Sequence, residues 1–234
     1  MAAAAAHHGQ RRDERSQTDT VEDYAKAIYS LEQRGDGPVT TSSLAERLGV
    51  TRGSASSMVK RLAEHGLAEH APYGGTKLTE RGRRVALEVL RHHRLLERYL
   101  SEELGVPWDR VHEEAEVLEH VLSEELEERI AAKLGHPAHD PHGDPIPTRE
   151  GEVEEGETRS LAELEPGERA TVARVSDSDP AMLRYLAERD LCPGVEIWVD
   201  EKQPFGGPLF VRVGDRQHVL GSTLAQAVRV RTEP

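Results

Sequence analysis

Apolar positions recur at intervals of three and four along the first two-thirds of the chain and at intervals of two along the last third. A helical part is therefore expected to precede a part built from strands. In TVEDYAKAIYSLEQRG, the residues Tyr24, Ala27, Ile28 and Leu31 fall on one helical face, and Gly35 with Gly37-Pro38 ends the helix. TSSLAERLGV predicts a short helix with Leu44, Ala45 and Leu48 turned inward, stopped by Gly49. Thr51 then caps a third helix, RGSASSMVKRLAEHG, whose buried stripe is Ala55, Met58, Val59 and Leu62. A short helix, a glycine turn and a second capped helix form the helix-turn-helix pattern. The LAEHAPYGGTKLTERGRR that follows reads as a β-hairpin with Tyr73-Gly74-Gly75 at its tip and Lys77 on the return strand, placed as a wing.

From Glu80 to Leu104 the pattern is one long helix with Val85, Leu87, Val89, Leu90, Leu95, Leu96, Tyr99, Leu100 and Leu104 apolar. A helix this apolar has more surface to bury than a small winged domain offers, so a second copy of the chain is expected against it; two-fold dimers are the usual way for helix-turn-helix proteins to read two half-sites. GEVEEGETRS, over 151–160, is a glycine- and acid-rich linker. Short alternating strands follow in RATVARV, VEIWVDE, PLFVRVG, HVLG and AVRVRT, with a helix at PAMLRYLAERD, which is a small β-barrel pattern.

Charge changes this picture in one place. The net charge is −13, but residues 1–84 carry +2, 85–159 carry −12 and 160–234 carry −3. Within 51–84 there are 7 basic and 3 acidic side chains, so a local basic face is available for phosphates despite the acidic total. On the third helix, Arg52, Ser54, Ser57 and Lys60 face outward with Thr51 at its start, and with Lys77 on the wing they are the candidate DNA contacts. With so few strong base-reading side chains, shape readout is expected to contribute; the competing reading is a three-helix domain that binds protein.

Composition bounds the rest. No run approaches the roughly 18 apolar residues of a membrane span. MAAAAAHHGQRRDERSQ, residues 1–17, has an alanine tract without a leucine-rich core and reads as a disordered tail, not a signal peptide. The single cysteine, Cys192, excludes an internal disulfide and fits a reducing cytoplasm.

The acid of the middle block is not evenly spread. His93 and Glu97 lie at i, i+4 in HHRLLE, His112 and Glu116 repeat that spacing in HEEAEVLEH, and Glu116, Glu119 and His120 follow at i, i+3, i+4. Such spacings bring ligands from one helix face to one ion, and carboxylates with few imidazoles form a hard donor set suited to Mn(II) or Fe(II) over Zn(II). The plainer reading is a solvated acidic face. Catalysis finds no support: no His-Glu-x-x-His, no glycine-rich phosphate loop and no nucleophile elbow is present.

Four strings, DTVEDYAKAIYSLE, RHHRLLERYL, VHEEAEVLEHVLSEELEERI and HPAHDPHGDPIP, resemble the diphtheria toxin repressor family of metal-dependent transcriptional repressors, over about Thr18 to Thr232. The resemblance implies a mainly α protein with a small β part: a winged helix-turn-helix domain over 18–81, a helical dimerisation and metal-binding domain over 82–150, a linker over 151–159 and an SH3-like β-barrel over 160–234. It implies a primary metal site at Asp23, Glu116, Glu119 and His120. Iron-sensing members usually carry methionine and cysteine at the positions of Asp23 and Glu116, so the two carboxylates here point to the manganese transport regulator branch, with Fe(II) as the alternative. A second site is implied at His93, Glu97 and His112, completed from the C-terminal domain. There the usual glutamate-glutamine pair is absent and Asp177 or Asp179 of VSDSDPAML takes its place. Lys26 stands where short manganese regulators with a binuclear centre have a carboxylate, so two separated sites per chain are expected. The implied function is a cytoplasmic, dimeric repressor of manganese uptake that binds a palindromic operator with metal as corepressor.

Overall fold

The computed structural model describes residues 18–33, 35, 37–71 and 75–232. The expected tail at 1–17 and the wing-tip residues Tyr73 and Gly74 lie outside the described residues. The chain divides into two compact units, one comprising residues up to His92 with Pro147–Gly151, the other His93–Ile146 with Glu152 onward.

The first unit holds α1 (18–33), α2 (Thr41–Arg47), α3 (Arg52–Glu64), β1 (Ala68–Ala71), β2 (Gly75–Leu78) and the start of α4 (Glu80–Leu104). Caps fix the helix-turn-helix. Thr40 and Ser43 form a reciprocal capping box on α2, and the Thr51 hydroxyl accepts from the Ser54 backbone N–H at the start of α3. The buried stripe predicted for α3 is present: Ala55, Val59 and Leu62 are buried against Tyr24, Ile28 and Leu44, with Met58 at the margin. β1 and β2 pair antiparallel, with Ala71 opposite Gly75, and the Val39–Thr76 bridge ties the wing to the strand-like segment before α2.

The second unit begins at His93 within α4. It continues through α5 (Val111–Leu118), a 3₁₀ turn (Glu119–Val121) and α6 (Glu124–Lys133). One helix is expected from the sequence through His120, but α5 ends at Leu118. The chain tightens into the 3₁₀ turn because Leu122 is extended and Ser123 must cap α6. Leu95, Leu96, Ala115, Ile130 and Ile146 form the helical core of this unit.

The C-terminal part is a six-stranded antiparallel sheet in the order β3-β8-β4-β5-β6-β7, made by β3 (Arg159–Ser160), β4 (Arg169–Val175), β5 (Glu196–Lys202), β6 (Leu209–Val213), β7 (Arg216–Leu220) and β8 (Val228–Arg231). Helices α7 (Pro180–Ala187) and α8 (Ser222–Ala227) complete it. Alternation in β4 and β5 buries Ala170, Val172, Ile197 and Val199 in a core with Leu183 and Leu186 of α7. Trp108, from the loop before α5, packs against that same core.

The segment after α6 lies against β4. His142 O accepts from the Val175 N–H at 2.9 Å, and Gly143 has φ +90° with its α-carbon turned to the Ala173 carbonyl. A Cβ there would stand 2.0 Å from Ala173 O, so only glycine allows both the backbone turn and the close approach. Gly143→Ala is expected to lower unfolding stability by at least about 2 kcal/mol. Denaturant unfolding is the check, and an unchanged midpoint would show that the segment is not held against β4.

Candidate metal centre

α4 supplies His93 and Glu97 one turn apart, and the first turn of α5 supplies His112, half-buried. Three donor atoms converge: His93 Nε2 lies 3.0 Å from Glu97 Oε1 and 3.0 Å from His112 Nδ1, and His112 Nδ1 lies 3.2 Å from Glu97 Oε1. Donors about 2.1 Å from an octahedral ion stand about 3.0 Å from each cis neighbour, whereas a tetrahedral ion spreads them to about 3.4 Å. The triangle has the size that a six-coordinate divalent cation fills.

The far nitrogens face carboxylates. His93 Nδ1 is 2.5 Å from Glu119 Oε2 and donates to it, so Nε2 is the nitrogen that faces Glu97 and would be freed for an ion there. The other ring nitrogen of His112, Nε2, faces Glu116 Oε1 at 3.7 Å. His93 is thus oriented by a carboxylate of the other predicted set, and His112 has one nearby. Glu116 also lies 3.9 Å from His93 Nδ1, and His120 Nε2 lies 3.5 Å from Glu119 Oε1. Asp23 is half-buried on α1, in the first unit. Glu113 and Glu114 are solvent-exposed, as a solvated face requires.

Glu97 is 1% exposed. Burial alone drives a carboxyl toward its neutral form, but charge from His93, hydrogen bonds with His112 and His93, and the facing His142 imidazole hold Glu97 well below the usual carboxylate range. A carboxylate kept ionised in the interior, beside two imidazole nitrogens that could exchange their protons for a metal, is a donor set for a cation.

The C-terminal part contributes Asp177, whose Oδ2 lies 3.6 Å from His112 Nδ1. Asp179 is used differently: its Oδ1 accepts the backbone N–H groups of Ala181 and Met182 and caps α7. Pro180 at the first helical position is the sequence signal that separates the two, since Asp before a first-turn Pro is a cap pattern.

Sequence reasoning missed a layer behind Glu97. His142 is 0% exposed, stacks on Trp108 at 5.7 Å between ring centroids, and places Nδ1 3.8 Å from Glu97 Oε2. Burial favours its neutral form, but the facing Glu97 carboxylate and the charge of Asp140 push it up to about 9. Asp140, also buried, accepts the backbone N–H groups of His142 and Asp144, and Asp144 takes Arg174 of β4 at 3.0 Å. Burial, with the charges of Asp144 and Glu97, raises Asp140 well above the ordinary aspartate range. A proline- and glycine-rich stretch normally runs over the surface, so nothing in HPAHDPHGDPIP signals a buried imidazole.

In the first unit the candidate DNA contacts Thr51, Arg52, Ser54, Ser57 and Lys60 are exposed along α3, and Lys77 is exposed on β2. The Thr51 and Ser54 hydroxyls are 2.9 Å apart in the cap, so each has a local partner as well as a solvent face.

Three family models match nearly the whole chain. They are the iron-dependent repressor N-terminal DNA-binding domain over 17–76, the iron-dependent repressor metal-binding and dimerisation domain over 79–148, and the FeoA domain over 159–232. The chain belongs to the iron-dependent repressor family. The iron-dependent repressor IdeR of Mycobacterium tuberculosis is 34% identical over 224 residues, covering 91% of this chain and 96% of that protein. Among solved structures, a manganese-dependent transcriptional repressor in complex with manganese superposes with a TM-score of 0.85 at 44% identity, over 91% of this chain and 100% of that one. IdeR of T. acidophilum gives 0.75 at 32% identity, over 91% and 97%. This iron-dependent repressor family member is accordingly a metal-dependent transcriptional repressor, with DNA and a second copy of the chain as partners; its family consists of regulators, not enzymes. No helix among the described residues is long and apolar enough to cross a membrane.

Replacing Glu97 removes the buried anion on which the imidazoles converge. Glu97→Gln is expected to weaken one class of Mn(II) sites by more than the roughly 10–100-fold typical of outer-shell changes, leaving the other class in place. Calorimetric titration of the metal-free protein measures this, and two unaltered binding phases would remove Glu97 from the ligand set.

Proposed function

We propose that this repressor is activated by Mn(II) and holds two ions per chain, with metal as corepressor at a palindromic operator controlling manganese uptake. The observation that carries the reading is the donor chemistry. Every candidate ligand is a carboxylate or an imidazole, and Cys192 lies in the C-terminal part, just after α7. Oxygen-rich sets of this kind suit Mn(II), whereas thiolate and thioether donors select softer ions. The family resemblance assigns Asp23, Glu116, Glu119 and His120 to the primary site; His93, Glu97 and His112 with Asp177 form the second.

A bound divalent cation supplies the positive charge that lets these carboxylates and imidazoles converge. The chain's own residues do the rest. Glu119 orients the His93 imidazole, and Glu97 presents a buried charge that no solvent screens. The DNA-competent arrangement takes metal more tightly than its alternatives, so by reciprocity metal raises operator affinity. Val117 and Val121, one turn apart and 71% and 56% exposed, with Leu118 and Leu126, offer an apolar face suited to the second copy.

An Fe(II)-activated repressor is the second reading, favoured by the iron-dependent relatives that match most of the chain. Operator binding measured anaerobically against free Mn(II) and free Fe(II) separates the two. Activation is expected at a lower free concentration of Mn(II) than of Fe(II), and clear activation by Fe(II) at a lower concentration than Mn(II) would overturn the manganese assignment. Operator binding by the metal-free protein at equal strength would remove the corepressor role altogether.

A further inference from the structure

Glu97 has two oxygens, and only Oε1 faces the converging histidines. A carboxylate anchored through one oxygen can rotate about its last torsion, which would turn the ligand atom away or present both oxygens at once. Something must hold Oε2. The charged group facing it is His142, with Nδ1 at 3.8 Å.

His142 is built to be immobile. Its Nε2 donates to the Trp108 carbonyl at 2.8 Å, its ring stacks on the Trp108 indole, its backbone N–H is held by Asp140 Oδ1 at 2.8 Å, and its carbonyl accepts from Val175 of β4. Every polar atom of the residue is therefore engaged except Nδ1, which is fully buried and makes no hydrogen bond among the described residues. That one unengaged nitrogen is aimed at the outer oxygen of Glu97. Asp140 has an oxygen within 4.8 Å of both Glu97 and His142, but it accepts the His142 and Asp144 backbone N–H groups and faces Arg94, and Asp144 is met by Arg94 and Arg174.

We propose that His142 is the positioning residue of the second metal site: its Nδ1 edge holds Glu97 Oε2, so that Oε1 stays turned to the point shared by His93 and His112. The inference rests on the reading that His93, Glu97 and His112 bind a divalent cation. It also makes the site sensitive to the C-terminal sheet, because the segment carrying His142 is fastened to β4 and to the Trp108 that packs on the sheet's core. Outer-shell partners of this sort alter metal affinity on the order of 10–100-fold.

Two substitutions divide the imidazole into its halves. In His142→Gln the longer amide reaches the Trp108 carbonyl and the group facing Glu97 is lost. In His142→Asn the shorter amide keeps a donor near the Nδ1 position and the Trp108 hydrogen bond is lost. The full-length, metal-free proteins are titrated with Mn(II) by calorimetry, and the bound ion is followed by electron paramagnetic resonance. Thermal unfolding of the metal-free forms is measured alongside. The expected result is a loss of about 10-fold or more at one of two sites in H142Q, with H142N within about 3-fold of the unsubstituted protein even if it unfolds at lower temperature. A residue that only packs would give the opposite order, because H142N is the variant that leaves the buried carbonyl unpaired. Equal losses in the two variants, a larger loss in H142N, or wild-type binding by H142Q would each overturn the proposal. If the unsubstituted protein binds a single Mn(II), the two-site reading beneath the proposal fails instead.

Discussion

A carboxylate buried to 1% exposure in a 25-residue helix imposes its requirements on everything packed around it. Leaving such a charge without partners costs on the order of 3–5 kcal/mol, so the surrounding chain must bring positive or hydrogen-bonding groups to Glu97. Three imidazoles do so from three segments: His93 from the same helix, His112 from α5 and His142 from the turn that precedes the linker. The helical core of Leu95, Leu96, Ala115 and Ile146 sits between these contributions and holds their spacing. The candidate metal centre and the helical core of the second unit therefore share one set of backbone positions.

The two predicted ligand sets are neighbours through their outer layers. His93 belongs to one set by its Nε2 and hydrogen-bonds Glu119 of the other by its Nδ1, while Glu116 stands 3.7 Å from the far nitrogen of His112. The Glu119 contact orients the His93 ring. The change from α-helix to 3₁₀ turn at Glu119 assists, since it buries the Glu119 carboxylate beside His93 while Val117, Leu118 and Val121 remain exposed.

Much of this was legible from residue order because it is local. Caps at Thr40 and Thr51, the stripe on α3, the full extent of α4 and the alternation of β4 and β5 each depend on neighbours within a few positions, and local rules find them. The i, i+4 pairing of His93 with Glu97 is equally local, and the family resemblance added His112. What was not legible is long-range. That Asp177 lies beside His112 while Asp179 caps α7 depends on how α7 begins, which Pro180 signals only locally. The burial of His142 depends on Trp108 and on β4, separated from it by 34 residues and by more than 30 respectively, and its immediate neighbours suggest a surface turn. Nor does the sequence pattern reveal that the helices from His93 onward and the C-terminal sheet condense into one unit.

The central claim is that His93, Glu97 and His112 with Asp177, and separately Glu116, Glu119 and His120, are two places where this chain binds a divalent cation. The most direct measurement is anomalous diffraction from crystals grown with Mn(II), recorded near the manganese absorption edge. The account predicts two peaks per chain, one about 2.1–2.3 Å from His93 Nε2, Glu97 Oε1 and His112 Nδ1, the other at bonding distance from the Glu116, Glu119 and His120 donors. Density for ordered side chains at both positions without an anomalous peak, or manganese bound elsewhere on the chain, would contradict it.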